Sequence, residues 1–157
     1  MAYTNLTTFL WFDGHAQEAA EFYVGLFPDA RLGATSYYPD DAPRMAGEVL
    51  VVEFELFGQP FGILNAGPGF PHSEAVSFQI ACDTQDDVDR LWDALTADGG
   101  EPGRCGWCKD RFGVSWQVTP RALGELLSDP DHDVSGYAMN QMMQMTKIVI
   151  DDLRREN

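Results

Sequence analysis

The 157-residue chain predicts an α+β fold in which a unit of one strand, one helix and three further strands is used twice. Three observations carry that expectation. An amphipathic segment near residue 20 has a counterpart of the same spacing 69 positions later, β-rich runs flank both in the same order, and turn-forming stretches separate those runs. Each helix then lies on one face of a curved mixed sheet and leaves the other face open as a cup. A chain of this length buries roughly 70% of the surface its unfolded form would expose, so it needs neither metal nor disulfide for stability. The expected layout is a single domain over 1–157, with a first module at 5–66, a second at 75–120 and a helical extension at 121–157.

The elements follow in order. "NLTTFLWF" reads as the first strand, and Asp13 is a plausible cap for "HAQEAAEFYVGLF", where Ala19, Phe22, Tyr23 and Leu26 share one helical face. "RLGATSYY", "EVLVVEFEL" and "PFGILNA" read as strands, separated by the turn formers "PDDAP" and "FGQP". "AVSFQIAC" opens the second unit. Thr84 then caps a helix carrying Val88, Leu91, Trp92 and Leu95, with Asp87 completing a capping-box pattern. "PGRCGWCK" and "GVSWQVTP" flank a tight "KDRFG" turn, which leaves this half one strand short unless Gly103 to Lys109 bends into two. In the tail, Thr119 and Pro120 suit the cap and first position of "RALGELLS", with Leu123, Leu126 and Leu127 apolar. Ser135 is expected to cap a last helix whose Met139, Met142, Met143 and Met145 serve as adaptable packing.

Composition removes several function classes. Ten Lys and Arg against 25 Asp and Glu give a formal charge of −15, which repels phosphate backbones and argues against nucleic acid as a partner. No basic segment precedes a long apolar run, and nowhere do about 18 apolar residues follow one another, so a cytoplasmic protein without a membrane partner is expected. Cys82, Cys105 and Cys108 are an odd number, unsuited to a disulfide framework. Residues three apart in a strand have Cα atoms about 10 Å apart, beyond the roughly 7 Å limit for a disulfide. Cys105 and Cys108 also lack the second Cys or His pair of a zinc knuckle and the following helix of a redox motif, so they read as small buried thiols.

"FLWFDGHAQEAAEFY", "SFQIACDTQDDVDRLWDAL", "CGWCKDRFGVSWQVTP" and the closing "MMQMTKIVIDDL" resemble the PhnB-like branch of the vicinal oxygen chelate superfamily. That superfamily also contains glyoxalase I and bleomycin-resistance proteins, and the branch often carries the label 3-demethylubiquinone-9 3-methyltransferase. Cys108, where the branch has an aliphatic residue, and Val149, where Asp is common, depart from the pattern. The resemblance implies paired βαβββ modules, a homodimer, and a ligand held in the cup. In metal-dependent members each of four strands places a His, Glu or Gln around a divalent cation.

Aligning the two halves puts those four positions near Thr7 or Thr8, Asn65, Ser77 and Gln117, and within one residue of them there is no His, Asp, Glu or Cys. Divalent sites are built mostly from imidazole, carboxylate or thiolate, so no metal and no cofactor is expected. His15, His72 and His132 stand elsewhere, at a helix start and in loops.

Strand alternation sends Val76, Phe78, Ile80 and Cys82 under the helix and Ser77, Gln79 and Ala81 into the cup. It sends Val114, Trp116 and Val118 one way and Ser115, Gln117 and Thr119 the other. With Phe9 and Trp11 chosen as cup-facing, the expected ligand-binding residues are Phe9, Trp11, Asn65, Ser77, Gln79, Ser115 and Gln117. Aromatic surface with a few neutral amides suits a largely apolar small molecule, although the amides could equally satisfy one another inside a closed core. The function that follows is a metal-free small-molecule binder. The alternatives are an enzyme of the superfamily's lyase, isomerase or dioxygenase type, drawing on Glu53, Glu55 or Asp110, and a dimerising module with a filled cup. No catalytic residue is assigned. Methyl transfer fits poorly, because Gly67-Pro-Gly69 is followed by Phe-Pro-His and not by the helix that a glycine-rich cofactor turn requires.

Overall fold

The computed structural model describes residues 6–155, so the proposed module start at residue 5 lies outside the described residues. The chain divides after Pro71 into two compact units. The first contains β1 (Thr8–Phe12), α1 (Ala16–Leu26), β2 (Arg31–Tyr37), β3 (Val49–Leu56) and β4 (Gln59–Asn65). Their order in the sheet is β1-β4-β3-β2, with β1 parallel to β4 and the other pairs antiparallel. Leu10 and Phe12 alternate inward along β1, as do Phe61 and Ile63 along β4 and Val52, Phe54 and Leu56 along β3. Against this face α1 buries Ala16, Ala19, Ala20, Tyr23 and Leu26. The Tyr23 and Phe54 rings lie 5.9 Å apart, and Phe54 stacks on Phe61 at 5.1 Å.

Asp13 does not cap α1. The cap position is His15, in the left-handed region at φ 58 and without a side-chain bond. The turn is held from outside the segment, since Asn65 Oδ1 at the end of β4 accepts from Gly14 N at 2.6 Å. A side chain 51 positions downstream thus fixes the turn that leads into α1, while the helix start itself has no side-chain cap.

The second unit repeats the order with β5 (Phe78–Cys82), α2 (Gln85–Thr96), β6 (Glu101–Pro102), β7 (Trp107–Lys109) and β8 (Ser115–Pro120), arranged β5-β8-β7-β6. Ile80, Cys82, Trp116 and Val118 form the buried face under Val88, Leu91, Trp92 and Leu95 of α2. Thr84 caps α2 as expected: its Oγ1 accepts from Asp87 N at 3.1 Å and donates to Asp87 Oδ2 at 2.8 Å. Thr84→Ala is expected to destabilise the fold by about 1 kcal/mol, read as a lower urea midpoint with an unchanged slope.

The strand missing from the sequence reading exists because the chain bends between Gly103 and Gly106. Gly103 N donates to Trp107 O at 2.8 Å, while Cys105 (φ 56) and Gly106 (φ 82) take the left-handed conformation. This bend turns β6 back on β7 as a two-residue strand. Its outward N–H groups are taken up by the tail, Cys105 N by Met145 O at 2.9 Å and Gly106 N by Thr146 O at 2.7 Å.

The tail differs from expectation at each start. β8 runs through Pro120, so α3 (Arg121–Leu127) has Pro120 and not Thr119 at its cap position. α4 (His132–Met142) begins before Ser135 and is capped by Asp131, whose carboxylate accepts from Asp133 N at 2.8 Å. The methionines divide. Met142 and Met145 pack with Leu126 and Leu127 against Leu123, Ile148 and Leu153, whereas Met139 and Met143 are 44% and 57% exposed. Gln85 of α2 donates to Ile148 O at 3.1 Å and accepts from Ile150 N at 2.8 Å, which fastens the tail to this unit. Among the described residues, no helix is long and apolar enough to cross a membrane.

Candidate ligand-binding face

The open face of the second sheet follows from register alone. Side chains of directly paired residues share a face. Pairing of Glu101 with Lys109, and of Lys109 with Ser115, makes one cross-strand row; Trp107 with Gln117, and Gln117 with Gln79, makes the next. Thr119 and Ala81 continue the same face, while Phe78, Trp116 and Cys108 turn to the helix side.

The polar groups on this face are ordered by one another. Gln117 Nε2 donates to Ser77 Oγ at 2.8 Å, which fixes the amide so that its Oε1 accepts from Gln79 Nε2 at 3.4 Å. Gln79 Nε2 also reaches Thr119 Oγ1 at 3.5 Å. The two bonds of Gln79 sit at the long limit for hydrogen bonds and are readily exchanged for better ones. Ser115 is 2% exposed, and its Oγ has no hydrogen-bond partner among the described residues. Beside it Lys109 Nζ meets Glu74 Oε1 at 2.6 Å. Glu74, Glu101, Trp107, Lys109 and Ser115 line a cavity of about 120 Å³. The ion pair holds the Glu74 carboxyl below its usual range and the Lys109 ammonium above its own.

In the first unit Phe9 and Trp11 lie on the open side of β1, opposite buried Leu10 and Phe12. The Phe9 ring covers Gly62, where an added Cβ would come within 2.7 Å of the ring. Trp11 Nε1 donates to Gly67 O at 2.7 Å, and its ring meets Phe70 edge-on at 4.8 Å.

Asn65 belongs elsewhere. It pairs with Phe12 and lies on the helix side of β4, 6% exposed, with Oδ1 on Gly14 N and Nδ2 donating to Val49 O at 3.0 Å. Its place in the expected wall is therefore corrected to a structural one. The reason is parity: Phe61, Ile63 and Asn65 share the buried side of the strand, which leaves Gly62 and Leu64 on the open side. Asp110 is likewise structural. Its buried carboxylate accepts from Phe112 N at 2.8 Å, Val114 N at 3.1 Å and Trp116 Nε1 at 2.8 Å. Nearby, burial pushes the His72 imidazole below its usual value against the opposing pull of Asp110.

Glu74, Glu101 and Trp107 escaped the sequence reading. Trp107 and Lys109 could have been recovered by alternation with Cys108, had the strand been started at Trp107. Glu101 could not, because the row it joins depends on the bend at Cys105 and Gly106.

The three thiols are free. Burial pushes Cys82 up to about 11 and Cys108 up to about 12, whereas Cys105 is half-buried beside Met143, with the sulfurs 3.9 Å apart. A neutral-pH alkylating reagent is expected to label one thiol, Cys105, in the folded chain and three after unfolding, counted by intact mass. Because both buried pKa values exceed the unfolded value of 9.0, the associated stability is intact below pH 9 and is lost as pH climbs from there towards 11 or 12.

Besides hydroxyls, amides and aromatic rings these faces carry the carboxylates Glu101 on β6 and Glu53 and Glu55 on β3, which among the described residues are not grouped as the donor set of a divalent cation. Among the described residues, no three His, Cys, Asp or Glu side chains are grouped so as to hold a metal ion.

Known proteins agree with this architecture. The profile of the family described as 3-demethylubiquinone-9 3-methyltransferase matches residues 4–119. The Bacillus cereus PhnB protein is similar at 31% identity and a TM-score of 0.68, over 74% of this chain and 99% of that one. A Pseudomonas aeruginosa protein shares the fold at 21% identity and a TM-score of 0.57, over 75% of this chain and 98% of that one. A fosfomycin resistance protein of Mesorhizobium loti does so at 16% and 0.51, over 74% and 90%. No curated protein matches the chain. With the matched region spanning both four-stranded sheets, the chain belongs to the 3-demethylubiquinone-9 3-methyltransferase family, the PhnB-like branch of the vicinal oxygen chelate superfamily.

Proposed function

We propose that this protein binds a small organic molecule without a metal, in the manner of the glyoxalase and bleomycin-resistance type, and works as a cytoplasmic homodimer. One observation carries the reading: the Ser77–Gln117–Gln79 chain puts neutral, mutually oriented hydrogen-bonding groups on the open face of the second sheet. Neutral amides beside an indole suit an apolar ligand that needs orientation more than charge neutralisation.

Catalysis has less support. Asp110 is engaged by three donors and Glu55 pairs with Arg31 at 2.8 Å, so neither stands as an available base, which leaves Glu53, opposite Gly62 on the open side of β3, as the carboxylate an enzymatic reading would draw on. Methyl transfer from a nucleotide-like donor would need a glycine-rich turn from a parallel strand into a helix, whereas the residues after Gly67-Pro-Gly69 form turns and irregular backbone.

Native mass spectrometry together with elemental analysis of protein purified without chelator tests the reading. A retained organic molecule and less than about a tenth of an equivalent of divalent metal is expected for a metal-free binder. Stoichiometric zinc, nickel, manganese or iron would overturn it.

A further inference from the structure

Two sulfur atoms of different kinds meet in the second unit, at the corner where β6 turns into β7. Cys105 is half-buried, Met143 is exposed, and Cys105 Sγ lies 3.9 Å from Met143 Sδ. The backbone holds both partners. Cys105 stands in the left-handed region at φ 56 and donates its N–H to Met145 O at 2.9 Å, while Met143 N donates to Met139 O at 3.0 Å and so continues the last turn of α4. A non-glycine residue in that backbone region is strained, and such strain gathers at ligand clamps. Met139, four positions before Met143 and on the same helical face, brings a third exposed sulfur to the patch.

The donor chemistry is narrow. Thiolate and thioether are soft ligands, which favour Cu(I) over the ions that take oxygen or nitrogen. Zinc would want more thiolate, imidazole or carboxylate, and among the described residues no three His, Cys, Asp or Glu side chains are grouped to supply it. The spacing is equally selective. An ion bonded to each sulfur at about 2.3 Å would see the two at an angle of about 115°, near the trigonal angle and far from a straight line, which calls for a third donor. We propose that Cys105 and Met143, with Met139 as the third ligand, form a site for the soft monovalent ion Cu(I). Binding breaks the Cys105 S–H bond, forms a Cys105 S–Cu bond and takes a lone pair from each thioether. One proton leaves to solvent and no oxidation state changes, so the apparent affinity rises with pH. The formal charge of −15 favours the approach of a cation. The site lies outside the Ser77–Gln117–Gln79 chain and is independent of the binding reading above.

Anaerobic titration of the reduced full chain with Cu(I), in competition with the chromogenic chelator ferrozine, tests it. One equivalent is expected to be retained and to block alkylation of Cys105, read by intact mass, whereas Zn(II) should leave that alkylation unchanged. Met143→Leu keeps an apolar side chain of similar size and should weaken Cu(I) at least about ten-fold, with Met139→Leu weakening it about three-fold. Cys105→Ser should abolish retention. A thiol acting alone would bind Cu(I) equally in the wild type and in Met143→Leu, so equal affinity there would overturn the site. Failure to compete with ferrozine, retention that survives Cys105→Ser, or a preference for Zn(II) would do the same, and unchanged affinity in Met139→Leu would overturn the three-sulfur geometry. None of these outcomes touches the organic-ligand reading, which falls only to the stoichiometric divalent metals named above.

Discussion

Asp110→Ala is expected to cost about 3–5 kcal/mol, the range for leaving a buried charged network without one of its members. Asp110 is 2% exposed, and its carboxylate accepts from the Phe112 N–H of the "KDRFG" turn, from the Val114 N–H that follows it and from the indole of Trp116. Alanine leaves all three donors without the oxygens that accept from them. The turn that joins β7 to β8 and the central tryptophan under α2 lose their anchor together. Asp110→Asn keeps one oxygen acceptor and nearly the same shape, so it should cost about half as much. Urea unfolding followed by tryptophan fluorescence separates the two. A cost for Asp110→Ala within about 1 kcal/mol of wild type would show that the network is not needed for stability.

Gly106→Ala should come next in size. Two penalties combine there: φ is +82, and an added Cβ would lie 2.8 Å from Val118 O and 3.2 Å from Ile148 Cγ1. The first alone costs about 1 kcal/mol; backbone overlap adds roughly 1–3 kcal/mol more, since the carbonyl of a central strand cannot move aside. Gly113 supplies the internal control. Its φ is +83, but nothing lies within 4 Å of the added Cβ, so Gly113→Ala should show the conformational penalty by itself. Equal losses at the two positions would mean that crowding at Val118 contributes nothing.

These residues also mark how far the sequence could be read. α2 was legible because everything that specifies it is local: Thr84, Asp87 and four apolar residues at helical spacing. The alternation of β5 and β8 was legible for the same reason, and it places Ser77, Gln79, Ser115 and Gln117 on one side. What escaped depends on partners far along the chain. Asn65 serves Gly14 and Val49, so its role follows from strand pairing and not from its neighbours. The bend at Cys105 and Gly106 has a cysteine in a conformation usually left to glycine, which spacing rules pass over. The tail helices shifted by a few residues because β8 extends through Pro120 and Asp131 outcompetes Ser135 as a cap.

The bonds from Cys105 and Gly106 to Met145 and Thr146 mean that the recognisable family region and the self-sufficient folding unit have different boundaries. A piece cut where the likeness ends, near residue 119, would leave the amide donors of Cys105 and Gly106 without the Met145 and Thr146 carbonyls that accept from them. The carboxy-terminal segment is thus a working part of the second sheet's scaffold, which cannot keep its corner bonded without it.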